Sequence, residues 1–240
     1  LWVADMDFQA PACVREAVAS WAAQGAYGYY KIPDRYYKAF QRWEQLQHGY
    51  SVERDWIRFS PGIVSAIYWL VQMLTKPGDA VTTLTPVYYP FLNAIKDNGR
   101  ELTPCQLVNE GGKYTMDFDR LDKHFADTQS KLLIFSSPHN PVGRVWLREE
   151  LEQLCAVCEK HGVTILSDEI HQDLVLGSHP HIPTATAVNC PVVTLCSASK
   201  TFNLAGLQVS NIFVPGEELR QKLKHEMEVI RYESPNMLGA

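Results

Sequence analysis

The feature that most constrains this chain is a series of short apolar, β-branched segments, each followed by a polar residue able to do chemistry. Three of them are explicit. The run over 131–136 leads to Ser137-Pro138-His139-Asn140-Pro141-Val142-Gly143, the run over 163–167 to Asp168-Glu169-Ile170-His171, and the run over 192–196 to Ser197-Ala198-Ser199-Lys200-Thr201-Phe202-Asn203. Further strands are expected over 80–84, 100–107 and 208–214. Helices are expected over 11–24, 35–47, 62–74, 88–98, 117–125 (Asp117 as its N-cap), 147–161 and 217–230. Strands separated by helices of ~10–15 residues argue for an α/β protein with a mostly parallel sheet flanked by helices.

Composition narrows the function classes. The 240 residues are 46% hydrophobic and 20% charged, as in globular proteins, and no apolar run reaches the ~18 residues of a membrane helix. A net charge of −5 without a basic block argues against nucleic acid and anionic membranes as partners. The opening Leu1-Trp2-Val3-Ala4-Asp5-Met6-Asp7-Phe8 reads as domain interior rather than a leader. Six scattered cysteines are expected to be reduced thiols in a cytoplasmic protein. Cys155 and Cys158 form a C-x-x-C inside a helical pattern. A redox pair belongs at a helix N-terminus after a strand, so packing on a helix face is the better account. The histidines have no trusted metal-ligand spacing, and no metal site is expected.

In open α/β sheets ligands bind at the carboxyl ends of strands. Asn140, Asp168 and Lys200 all fall there, and in that setting they match the demands of pyridoxal phosphate. Lys200 is the amine for the aldehyde. Asp168 is the carboxylate beside the pyridine nitrogen, which keeps the ring electron-accepting. Asn140 and His171 are donors to the ring oxygen. Backbone amides of Gly62, Ile63 and Val64, opening a helix, suit the phosphate. Ser197 and Ser199 add hydroxyls, and Tyr88 is the ring for one face of the pyridine. Singly, each has a plain structural reading: an S-x-S-K is common, Asp168 can be an N-cap, and Asn140-Pro141-Val142-Gly143 makes a good turn. The conjunction, in one order and at strand ends, points to the cofactor.

With those residues in place, the chain resembles fold type I pyridoxal phosphate enzymes, the class I/II aminotransferase superfamily. Asn140-Pro141-Val142-Gly143 matches N-P-x-G, Asp168-Glu169-Ile170-His171 matches D-E-x-[YH], and Ser197-x-Ser199-Lys200 matches the lysine motif. The resemblance covers the whole chain. It implies a mostly parallel seven-stranded sheet forming the large cofactor-binding domain over 35–240. An N-terminal segment over 1–34 would contribute to the site, and a small C-terminal domain would lie outside this chain. Trp2 to Phe8, Tyr27-Gly28-Tyr29, Asp173 and Lys200-Thr201-Phe202-Asn203 look like the cystathionine β-lyase (C–S lyase) branch of the MalY/PatB type. His171 stands where many relatives have tyrosine, and Gln208 where many have a phosphate-binding arginine.

That branch implies β-elimination on L-cystathionine or related cysteine thioethers, releasing a thiol, pyruvate and ammonia. An aminotransferase of an L-amino acid is the alternative, and a non-catalytic regulator a further one. The resemblance also implies a homodimer with shared active sites, in which Tyr29, or Tyr27, reaches the neighbouring subunit's phosphate. Ala4 and Asn140 are carried over as substrate contacts. The arginine that grips the substrate α-carboxylate is expected beyond residue 240, Arg231 being a poor substitute.

Overall fold

A computed structural model describes residues 4–187, 190–230 and 236–240. Leu1, Trp2, Val3 and Arg231, named in the sequence analysis, lie outside the described residues. The elements run, in chain order, α1 (Ala12–Ala22), α2 (Asp34–His48), β1 (Ile57–Ser60), α3 (Ile63–Leu74), β2 (Ala80–Thr85), α4 (Tyr89–Asp97), β3 (Glu101–Gln106), β4 (Val108–Glu110), β5 (Lys113–Thr115), α5 (Phe118–Thr128), β6 (Leu132–Ser136), α6 (Arg148–His161), β7 (Thr164–Asp168), β8 (Val192–Cys196), α7 (Ala198–Thr201), β9 (Ser210–Phe213) and α8 (Glu217–Ile230).

Seven strands form one sheet in the order β1-β9-β8-β7-β6-β2-β3. β8, β7, β6, β2 and β3 are parallel neighbours, and β9 runs antiparallel to both β8 and β1. The central strands are buried on both faces, which is why they read as continuous apolar runs rather than alternating ones.

Alternation within each strand divides the core. Leu132, Ile134, Leu166, Val193 and Leu195 face α3, α4 and α8 through Ile67, Leu70, Phe91, Ile95 and Leu223. Leu133, Phe135 and Ile165 face α5 and α6 through Leu121, Phe125, Leu151 and Leu154. Cys155 and Cys158 belong to this second layer, buried on the inner face of α6 as the packing reading requires. A third cluster, around Tyr50, Phe59, Cys196 and Phe213, lies under α2. By contrast, α1 has no buried side chain.

Three elements depart from the sequence reading. β1 has only four residues, with Arg58 in its middle, and it is held by pairing with β9 rather than by its own pattern. The strand expected over 208–214 is confined to Ser210–Phe213 and is antiparallel. A two-stranded ribbon, β4 with β5, turns at Gly111-Gly112, both at positive φ. Asp117 does cap α5, accepting the Arg120 N–H at 3.0 Å.

The topology fixes where a ligand fits. The chain goes from β2 outward to β3, then returns to β6 on the other side of β2. A crevice opens at such a reversal, beyond the carboxyl ends of the strands. β1, β2, β6, β7 and β8 all end at that edge, and each delivers part of the site.

Candidate active site

Asp168 is the last residue of β7. Asn140 follows β6 by four residues, and Lys200 sits in α7, just after β8. Adjacent strands lie about 4.8 Å apart, so three neighbouring strands bring together residues distant in sequence. All three line one cavity of about 490 Å³, with Ala4, Gly62, Ile63, Val64, Ser65, Tyr88, His171, Ser199, Gln208 and Ser210. A larger, more open depression of about 680 Å³ shares Asn140 and His171 with it.

The Asn140 turn is built by local bonds. Ser136 Oγ donates to the Pro138 carbonyl (3.0 Å) and accepts the Asn140 N–H (3.1 Å). Gly143 N–H donates to the His139 carbonyl at 2.8 Å, and Gly143 lies at φ +72°, a conformation glycine adopts without steric cost. Buried His139 donates through Nε2 to the Pro86 carbonyl at 2.9 Å, and Tyr88 N–H donates to the Asn140 carbonyl at 3.1 Å. These two bonds tie the Tyr88 loop to the Asn140 loop. Below them Trp146 donates to the Ser136 carbonyl at 2.9 Å, and Arg144 grips both oxygens of Glu150 at 2.6 Å.

Electrostatics distinguish the residues further. Asp168 is 6% exposed. Burial, with a smaller push from Glu169, raises its carboxyl from 3.8 to about 7, against one N–H bond from Ile170 at 3.1 Å. Among the described residues no side-chain cation pairs with it. It is a desolvated carboxylate facing a cavity, suited to a cationic nitrogen. Burial and then the Lys200 charge push His171 below the usual histidine range, so near neutrality its imidazole is uncharged and still has an N–H to donate. Burial also raises the Tyr88 phenol.

The end of the cavity expected to take the phosphate follows β1. Gly62 precedes α3, and the first-turn N–H groups of that helix open on the cavity beside Gln208 and Ser199. A Cβ on Gly62 would meet nothing within 4 Å, so the backbone there has open space in front of it.

Ser197 departs from its expected place: it does not line the cavity. Its Oγ donates to the Val209 carbonyl at 2.8 Å and accepts the Ser199 N–H at 3.1 Å, capping α7. Ser65, on the first turn of α3, lines the cavity and was not singled out from sequence. Nor was the role of Asn203. Its carboxamide accepts the Met6 N–H (3.2 Å) and donates to the Met6 and Phe8 carbonyls (2.9 and 2.8 Å), seating the N-terminal segment so that Ala4 lines the cavity. Tyr27 and Tyr29 are exposed and do not line this cavity.

A seven-stranded α/β sheet carrying this lysine, aspartate and asparagine at one edge defines the class, and the chain belongs to the aminotransferase class I and II family, whose model matches residues 3–230. Within that family the chain is 42% identical over 232 residues to cystathionine beta-lyase PatB of Bacillus subtilis, covering 95% of this chain and 60% of that protein. It is 32% identical over 206 residues to protein MalY of Escherichia coli, covering 85% and 53%. Among solved structures it matches cystalysin from Treponema denticola, which contains a pyridoxal 5'-phosphate cofactor, with a TM-score of 0.93 at 35% identity over 99% of this chain and 61% of that one. The PLP-bound C-S lyase from Staphylococcus hominis gives 0.94 at 36% identity over 100% and 61%. The chain thus spans about 60% of the length of the first of these relatives.

Proposed function

We propose that the protein is a pyridoxal-phosphate-dependent C–S β-lyase acting on L-cystathionine or related cysteine thioethers and releasing a thiol, pyruvate and ammonia. The observation that carries the branch is the 42% identity to a cystathionine beta-lyase over nearly the whole chain. The observation that supports the cofactor is the buried Asp168 in one cavity with Lys200.

Pyridoxal phosphate, bound through Lys200, supplies an electron sink that makes the substrate α-proton acidic. The rest is work for this chain. Lys200 Nζ would hold the cofactor and, as a free amine, would take the proton from the substrate α-carbon. Asp168, whose carboxyl burial raises, would balance a positive ring nitrogen. Asn140 and His171 would donate to the ring oxygen, and Tyr88 would cover one ring face. The N–H groups of Gly62, Ile63 and Val64, with the Ser65 and Ser199 hydroxyls and the Gln208 amide, meet the phosphate. Ser197 joins them only by giving up Val209. The electron pair left by the α-proton would expel the sulfur from the β-carbon as a thiolate, which takes up a proton, and water would hydrolyse the released enamine to pyruvate and ammonia.

We further infer a homodimer with shared sites, in which residues 1–34 form an arm on the large domain over 35–240. The unburied face of α1 and the exposed rings of Tyr27 and Tyr29 support it. We also infer action in the cytoplasm, supported by the six free cysteines. Among the described residues no helix is long and apolar enough to cross a membrane.

The test uses the whole protein that contains these residues, with coenzyme and L-cystathionine but no keto acid. Pyruvate formed over many turnovers is expected. Conversion of the coenzyme to its amine form once per site, without pyruvate, would replace this reading with an aminotransferase.

A further inference from the structure

Five residues beyond Asp168 lies another acidic side chain, Asp173, which lines no part of the cofactor cavity. Its side chain is 10% exposed and both its oxygens are occupied. Oδ1 accepts from Trp43 Nε1 at 3.0 Å and pairs with His48 Nε2 at 2.8 Å; both come from α2. Oδ2 accepts the Thr201 hydroxyl at 2.7 Å. Thr201 is the next residue after Lys200 and ends the four-residue helix α7, which is too short to hold itself in water. The Trp43 ring also meets Phe202 edge-on, with centroids 5.5 Å apart.

The connection continues to the other key carboxylate. His48 packs edge-on against His181, with centroids 5.5 Å apart, and His181 Nε2 pairs with Glu169 Oε2 at 2.8 Å. Glu169 is adjacent to Asp168 and is itself fixed by the Ser167 hydroxyl (2.8 Å) and the Thr184 N–H (3.0 Å). The sequence neighbours of both Asp168 and Lys200 are therefore anchored in polar clusters joined through α2 by the His48–His181 ring contact.

We propose that Asp173 is a positioning residue for Lys200. Acting through Thr201, with Trp43 and His48 holding the carboxylate from the other side, it fixes the orientation of α7 and so the direction from which the lysine amine enters the cavity. This rests on the reading of Lys200 as the cofactor lysine. Thr201 itself does not line the cavity, so the link acts on geometry and not on binding contacts.

The test replaces Thr201 by Val, which keeps the shape and deletes the hydroxyl, with Thr201→Ser as rescue and Asp173→Asn as a second route to the same bond. On mixing apoprotein with pyridoxal phosphate, the rate at which the lysine-bound visible band rises should fall about tenfold in Thr201→Val, within what a hydrogen bond to a charged group is worth. In the whole protein kcat should fall by a similar factor with KM within about twofold. Thr201→Ser should restore both, and Asp173→Asn should shift both in the same direction. Unchanged band formation and kcat in Thr201→Val and Asp173→Asn would overturn the proposal, even if either variant unfolds more readily. Lys200→Ala is run alongside. If its band persists, the reading of Lys200 fails; if it vanishes while Thr201→Val matches wild type, only the positioning role fails.

Discussion

Replacing Asp168 by Asn should make the cofactor-free chain more stable, and increasingly so as pH rises. Burial holds the folded-state carboxyl near 7 against an ordinary 3.8. A raised acid is penalised only when ionised. Below pH 3.8 both folded and unfolded states carry the proton and there is no penalty. Between 3.8 and 7 the unfolded chain releases its proton while the folded chain keeps it, so stability falls. Above 7 the full penalty applies. With about 1.36 kcal/mol per pH unit, the penalty is about 2 kcal/mol at pH 5.5 and about 4 kcal/mol at pH 8. Asparagine removes it and keeps an oxygen to accept the Ile170 N–H. Denaturant unfolding of the apoprotein should therefore show the variant's advantage growing by about 2 kcal/mol between those two pH values. With cofactor bound the order should reverse, because the positive ring nitrogen turns the carboxylate from a cost into a partner. An advantage that does not grow with pH, or a variant no more stable than wild type at pH 8, would refute the assignment of Asp168 as an uncompensated buried carboxylate.

Other changes test the supports of the site. Asn203→Gly keeps access to the +59° φ at this position but deletes the amide that binds Met6 and Phe8; proteolysis within residues 4–8 should accelerate severalfold, and KM should rise. Glu150→Gln removes the charge that Arg144 grips with both bonds and weakens the acceptor of the Leu147 N–H at 2.8 Å; urea unfolding should show a loss of about 1–3 kcal/mol.

The site was legible where chemistry and local pattern coincide. Asn140, Asp168 and Lys200 each close an apolar run that must be a buried strand, and parallel strands put their carboxyl ends on one edge. What stayed hidden depends on contacts remote in sequence. Asp173 meets Trp43 across 130 positions, and Asn203 meets Met6 across 197, so no local spacing announces either. β1 was missed because four residues with a central arginine carry no strand signal of their own; β9 supplies it. Ser197 reads as part of the lysine motif, but motif membership does not say which way a hydroxyl points, and here it caps α7 and bonds Val209.

The central claim is that Lys200 is the residue that binds pyridoxal phosphate. Incubating the apoprotein with the coenzyme, reducing with borohydride and mapping the labelled peptide tests it directly. The account predicts one label per chain, on Lys200, and loss of both the visible band and that label in Lys200→Ala. A stoichiometric label on another lysine, or a band that survives Lys200→Ala, would contradict it.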